Sequence, residues 1–200
     1  MRLQVPVLLS IIALFASPAF AGDAAAGKTK ASLCAACHGP DGNSVNPDWP
    51  KLAGQHGDYI AKQTMAIKNG EGRVNALMAP MVANLSAEDA ADIGAYFATQ
   101  TSTYAESVSA DAAAIAAPLY RGGDAARGIP ACMSCHGPDG RGNGPAKFPS
   151  LRGQHAKYTA TQLMAYRDGT RTTGPMMLGI AKKLEPAEIE ALAAYLAALH

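Results

Sequence analysis

The spacing of apolar and polar positions along this chain points to helices. Tyr59, Gln63 and Ile67 fall at helical intervals with Gly70 as a stop signal, which predicts a helix over 58–68. The matching later stretch predicts another over 157–167. A third helix opens at Ser86, where Asp89 imitates a capping box with the shorter acid, and ends near 99. Its counterpart begins at Pro186, a residue suited to a helix's first turn, and runs to the C-terminus. One more helix, over 23–36, leads into the first cysteine pair, while the Gly- and Pro-rich stretches 41–53 and 137–152 are loops. Abundant Ala and the scarcity of β-branched runs agree with an all-α fold.

The first 21 residues have a different pattern. Arg2 precedes an almost wholly apolar run over 5–15, and Ala19-Phe20-Ala21 is a small-x-small cleavage site. The segment is short for a bilayer span and carries Ser10, Ser17 and Pro18, so it reads as a signal peptide cleaved near Ala21, with the mature chain starting at Gly22. Export to the periplasm is the expectation.

The rest of the chain is a repeat. Cys34-Ala-Ala-Cys37-His38-Gly-Pro-Asp-Gly42 recurs as Cys132-Met-Ser-Cys135-His136-Gly-Pro-Asp-Gly140, offset by 98. At an offset of 99, Leu52, Gly54-Gln55-His56, Tyr59, Gln63, Met65 and Gly70 meet Leu151, Gly153-Gln154-His155, Tyr158, Gln162, Met164 and Gly169. Met78, Leu85 and Tyr96 fall on Met177, Leu184 and Tyr195 at the same offset. Two domains follow, over 22–100 and 118–200. Residues 101–117 form the joint, whose later part, near 110–120, opens a helix of the second half that Pro118 should disturb. Each half is small enough that an apolar core alone is marginal, so a buried cofactor would complete it.

Charge narrows the function. The 17 basic and 16 acidic residues become 16 of each once Arg2 is removed, leaving no electrostatic footprint for nucleic acid. All four cysteines lie in the two Cys-x-x-Cys-His motifs. On a helix, thiols three apart and a histidine one further on share a face. That suits c-type haem attachment, with thioethers from each cysteine pair and an axial imidazole. A thioredoxin-like dithiol would want a βαβ setting and leaves the histidines unexplained. Zinc shared by two distant pairs lacks the short separation of a ribbon, and local disulfides would close very tight loops.

A second axial ligand separates carriers from enzymes, since methionine raises the potential and fills the position where oxygen or peroxide would bind. The repeat selects Met78 and Met177, each seven residues before a matched leucine, whereas Met81 maps onto Ile180 and Met176 onto Leu77. Met65 and Met164 also match but sit inside amphipathic helices, where packing explains them. The assignment is His38 with Met78 and His136 with Met177. His56 and His155 open helices after loop glycines and read as solvent-facing or capping, with bis-histidine ligation or a docking surface as the alternative. His200 is terminal and has no assigned role. Trp49, Phe148, Tyr59 and Tyr158 wall in the haem or, except for Phe148, bond a propionate. Arg73 and Arg171 read as solvated surface residues, with compensation of propionate charge as the alternative.

These residues bring out a resemblance over 22–200 to the dihaem class I cytochromes c of the c4 type. It rests on the paired Cys-x-x-Cys-His-Gly-Pro-Asp-Gly motifs, Pro-x-Leu-x-Gly-Gln-His at 50–56 and 149–155, the methionine seven before leucine, and Arg121-Gly122-Gly123. The resemblance implies two tandem class I cytochrome c domains, each wrapped around one covalently bound haem c, with propionate edges toward the domain interface. It further implies a periplasmic carrier in a respiratory chain, often loosely associated with the membrane. Its donor would be a redox protein such as a quinol-oxidising complex and its acceptor a terminal oxidase. The stretch between Gly70 and Met78 is shorter than in some members, which bears on exposure of the first haem edge. The alternatives are a haem subunit of a larger dehydrogenase, or a dihaem enzyme of the peroxidase or thiosulfate dehydrogenase type.

Overall fold

The computed structural model describes residues 22–105 and 107–200. The signal segment expected over 1–21 lies outside them. Among the described residues there are ten helices and no sheet, only three isolated bridges.

The first half holds α1 (Ala24–Lys30), α2 (Ser32–His38), α3 (Gly57–Asn69), α4 (Met78–Val82) and α5 (Ala87–Ala98). The helix expected over 23–36 is two helices. Asp23 caps α1 through its side chain, and α2 follows Ala31 and runs to His38. The box at Ser86 forms in full: the Ser86 hydroxyl accepts from the Asp89 amide at 3.0 Å while the Asp89 carboxylate accepts from the Ser86 amide at 2.8 Å. α1 packs across α5 because Gly27 allows it; a side chain there would run into the Asp92 carbonyl. Phe97 and Ile93 of α5, Ile60 of α3 and Ala31 form the buried centre.

The second half repeats the plan with α6 (Ala110–Gly122), α7 (Met133–His136), α8 (Ala156–Asp168), α9 (Pro175–Ala181) and α10 (Pro186–Ala198). α6 continues through Pro118 rather than being broken there. Proline removes a donor but leaves φ helical, and α6 is held by packing of Ala116, Leu119 and Tyr120 against α10. Its core is the larger one, with Ile189, Leu192, Ala193 and Leu196 of α10 against Tyr120, Ile129, Ala160 and Leu184.

The two short helices α4 and α9 were not expected from the sequence. Each follows a glycine in the left-handed region, Gly70 or Gly169, that ends α3 or α8, and each packs back on the helix before it.

Candidate functional site

Each half builds the same site from three segments. α2 carries Cys34, Cys37 and His38; α7 and its preceding residue carry Cys132, Cys135 and His136. All four thiols are free and partly buried rather than paired in disulfides. Burial raises the Cys34 thiol above its ordinary range and pushes Cys132 up to about 11. Among the described residues no three His, Cys, Asp or Glu side chains converge as a cation site.

The histidines are fixed by a second segment. His38 is 5% exposed and His136 is 7% exposed. His38 Nδ1 meets the Pro50 carbonyl at 2.9 Å, and His136 Nδ1 meets the Pro149 carbonyl at 2.9 Å. A carbonyl only accepts, so in both rings Nδ1 carries the hydrogen and Nε2 keeps its lone pair. Burial lowers both imidazoles below their ordinary pKa against the opposing pull of these hydrogen bonds, and the Arg73 cation pushes His38 further the same way. The rings are thereby neutral, oriented bases, the state in which imidazole binds iron. The prolines belong to the Pro-x-Leu-x-Gly-Gln-His stretches, but their orienting role had no signal in the sequence beyond the repeat itself.

The third segment supplies methionine. Met78 is the first residue of α4 and half-buried, its amide held at 2.9 Å by Asn75 Oδ1. Met177 is half-buried in α9, which starts at Pro175. Met81 is 41% exposed and Met176 60% exposed, while Met164 packs against the second core. Phe148 lies 6.2 Å from the His136 ring, centroid to centroid. Paired thiols, a buried neutral imidazole and a thioether within each half make a donor set that fits a c-type haem.

The repeated Gly-Gln-His stretches join the halves. Gln55 makes a two-way amide bond with Ser150, donating to its carbonyl and accepting from its amide, each at 2.9 Å. Gln154 does the same with Lys51, again at 2.9 Å both ways. His155 Nε2 reaches the Ser44 carbonyl at 2.8 Å, and His56 Nε2 the Arg141 carbonyl at 2.9 Å. Both histidines open helices, but neither side chain caps one, and they span the halves instead of facing solvent.

The arginines also depart from expectation. Arg171 is 4% exposed, stacked 4.7 Å from the centroid of the Tyr166 ring, and donates to Gln162 at 2.8 Å, Tyr59 at 2.8 Å and Gln63 at 2.7 Å. Arg73 donates to the same Gln63 oxygen at 2.8 Å and to the Tyr158 hydroxyl. The loops carrying them pair across the seam, with the Thr172 amide 2.7 Å from the Gly72 carbonyl. A side chain on Gly72 would collide with Thr172.

The family model for cytochrome c matches residues 24–101 and again 125–200. Cytochrome c4 of Azotobacter vinelandii is 47% identical over 193 residues, 90% of each chain. A thiosulfate dehydrogenase electron acceptor of Stutzerimonas stutzeri is 38% identical over 174 residues, 84% of this chain and 79% of the other. The crystal structure of reduced recombinant cytochrome c4 from Pseudomonas stutzeri superposes with a TM-score of 0.86 at 46% identity, covering 90% of this chain and 100% of that one. Two all-α halves with one motif each, matched over nearly their whole length, leave one assignment: the chain belongs to the cytochrome c4 family, an electron carrier of two cytochrome c domains with two haem c groups.

Proposed function

We propose that this chain is exported to the periplasm and shuttles electrons within a respiratory chain, from a quinol-oxidising complex towards a terminal oxidase. In this reading Cys34 and Cys37 would hold the first haem by thioethers, and His38 and Met78 would ligate its iron. Cys132 and Cys135 would hold the second, with His136 and Met177. The observation that carries it is the same hydrogen bond in both halves, from His Nδ1 to a proline carbonyl at 2.9 Å, which leaves each Nε2 free to ligate.

Bound haem supplies one-electron chemistry between ferrous and ferric iron. The protein's part would be to keep each histidine and methionine in place through the cycle. The histidines are locked by their proline carbonyls and shielded from water. The methionines are carried by short helices braced on α3 and α8 and would keep small molecules from the iron. No proton has to move, so no acid or base is needed.

A second reading is favoured by relatives named as thiosulfate dehydrogenase electron acceptors. There the donor would be a thiosulfate-oxidising dehydrogenase, with the same two sites.

The test is an optical spectrum of the purified mature protein, oxidised and reduced, with a haem count by pyridine haemochrome. Two haems per chain, the near-infrared band of methionine-ligated ferric haem at full strength, and no carbon monoxide binding are expected. One haem lacking that band, or binding carbon monoxide, overturns the ligand set. Reduction by thiosulfate only in the presence of its dehydrogenase, with no turnover by oxidase-containing membranes, selects the second reading.

A further inference from the structure

The seam between the halves holds a charge that the protein does not neutralise. Arg171 is buried, and Arg73 shares its acceptor, Gln63 Oε1. Two guanidinium groups thus converge on one neutral amide oxygen. Their other partners, Tyr59, Tyr158, Gln162 and Thr173, are also neutral. No ion pair among the described residues involves either arginine. Two cations on one acceptor repel each other unless an anion is near, and a buried charge such as Arg171 without a counter-charge is costly enough that such groups are nearly always paired. The arrangement therefore calls for an anion.

The anion available in this chain is carried by its own cofactors. Haem c has two propionate carboxylates, on a different edge of the ring from the vinyl carbons that receive the cysteines. The arginine side chains cross the halves, since Arg171 of the second rests on Tyr59 and Gln63 of the first, and Arg73 of the first rests on Tyr158 of the second.

We propose that Arg73 and Arg171 form a single two-cation clamp on the seam, that its counter-anions are propionate carboxylates of both haems, and that it holds both reduction potentials up together. The proposal rests on the dihaem reading above. The two arginines are positioning residues: they act on each iron through the charge of its propionates, and a positive charge near both sites favours the ferrous form of each.

The experiment is a spectroelectrochemical titration of the holoprotein and of Arg171→Gln and Arg171→Lys, with a haem count on each. A count below two in the unsubstituted protein would strike at the dihaem reading itself, whereas the potentials address the clamp. Arg171→Gln should lower both potentials, cutting the ferrous-to-ferric ratio of each haem about tenfold at fixed potential, about 59 mV for a one-electron couple. Arg171→Lys keeps the charge and should restore most of that shift. Unchanged potentials, a shift confined to one haem, or a shift that lysine leaves in place would each overturn the clamp. Gln63→Glu gives an independent sign by thermal melting. A carboxylate placed in a seam already neutralised by propionates should lower Tm; a rise in Tm would mean that the cations had been unpaired.

Discussion

The two methionine-bearing helices reach the same position by different local chemistry. In the first half α4 begins at Met78, and Asn75 Oδ1 takes the amides of Leu77 and Met78 at 3.1 and 2.9 Å. In the second, Gly174 and Pro175 occupy the matching positions, and α9 starts three residues before Leu178 with proline in its first turn. One helix start is held by a side-chain acceptor and the other by a ring that presets φ. What repeats is the place of the methionine relative to the helix before it, not the local signal. The halves differ likewise in how their outer helices are tied. Lys30 joins α1 to Asp89 and Asp92 of α5, whereas Arg127 joins the loop after α6 to Glu188 of α10.

The sharpest way to break this comparison is to remove the proposed methionine ligands. Met78→Ala and Met177→Ala should each lower the potential of one haem by some hundreds of millivolts, within the roughly 0.8 V that axial ligation spans. Each should open that iron to carbon monoxide and leave the other unchanged. Redox titration and carbon monoxide difference spectra check this; retention of both native sites in either variant sinks the assignment.

Core truncation comes next. Phe97→Ala should cost the first half about 3–5 kcal/mol and Ile189→Ala the second about 2–5 kcal/mol. Because the first core is smaller, Phe97→Ala should separate the thermal transitions of the two halves, visible in calorimetry; a single unshifted transition contradicts it.

Asn75→Ala removes a cap that has no counterpart in the second half, and should cost about 1 kcal/mol. The expected readout is faster exchange at Met78 in NMR, with Met177 unaffected. Equal change at both haems would show that the cap is not what distinguishes them.

The smallest effect is with acid. Hydrogen bonds from Lys30 hold Asp89 and Asp92 below the usual carboxylate range, and those from Arg127 do the same for Glu188. A carboxyl depressed in the folded state stabilises above its unfolded pKa of about 4 and loses that contribution as pH falls through the depressed value. Both halves should therefore weaken below about pH 4. Asp92→Asn should remove part of that acid dependence in the first half alone, as followed by melting against pH.

The candidate site was proposed from the repeat, because two copies of Cys-x-x-Cys-His and one shared methionine offset constrain each other. The capping box at Ser86 and the Gly70 stop were legible for the same reason that local signals usually are: both partners lie within four residues. The break at Ala31, the continuation of α6 through Pro118, and the helices α4 and α9 depend on packing that no short window contains. The seam was the least legible part. His56 and Arg171 look like surface residues in sequence because their partners, Arg141 and Gln63, lie in the other half.

The reciprocal glutamine bonds make the contact self-complementary, with Gln55 on Ser150 mirrored by Gln154 on Lys51. Such a surface is the kind by which two identical subunits form a twofold dimer. Carrying both copies on one chain turns that encounter into an intramolecular one, with an effective concentration on the order of millimolar for a short tether. The spacing of the two redox centres is then independent of dilution: a lone molecule, however scarce, arrives at its partner with both stations already docked.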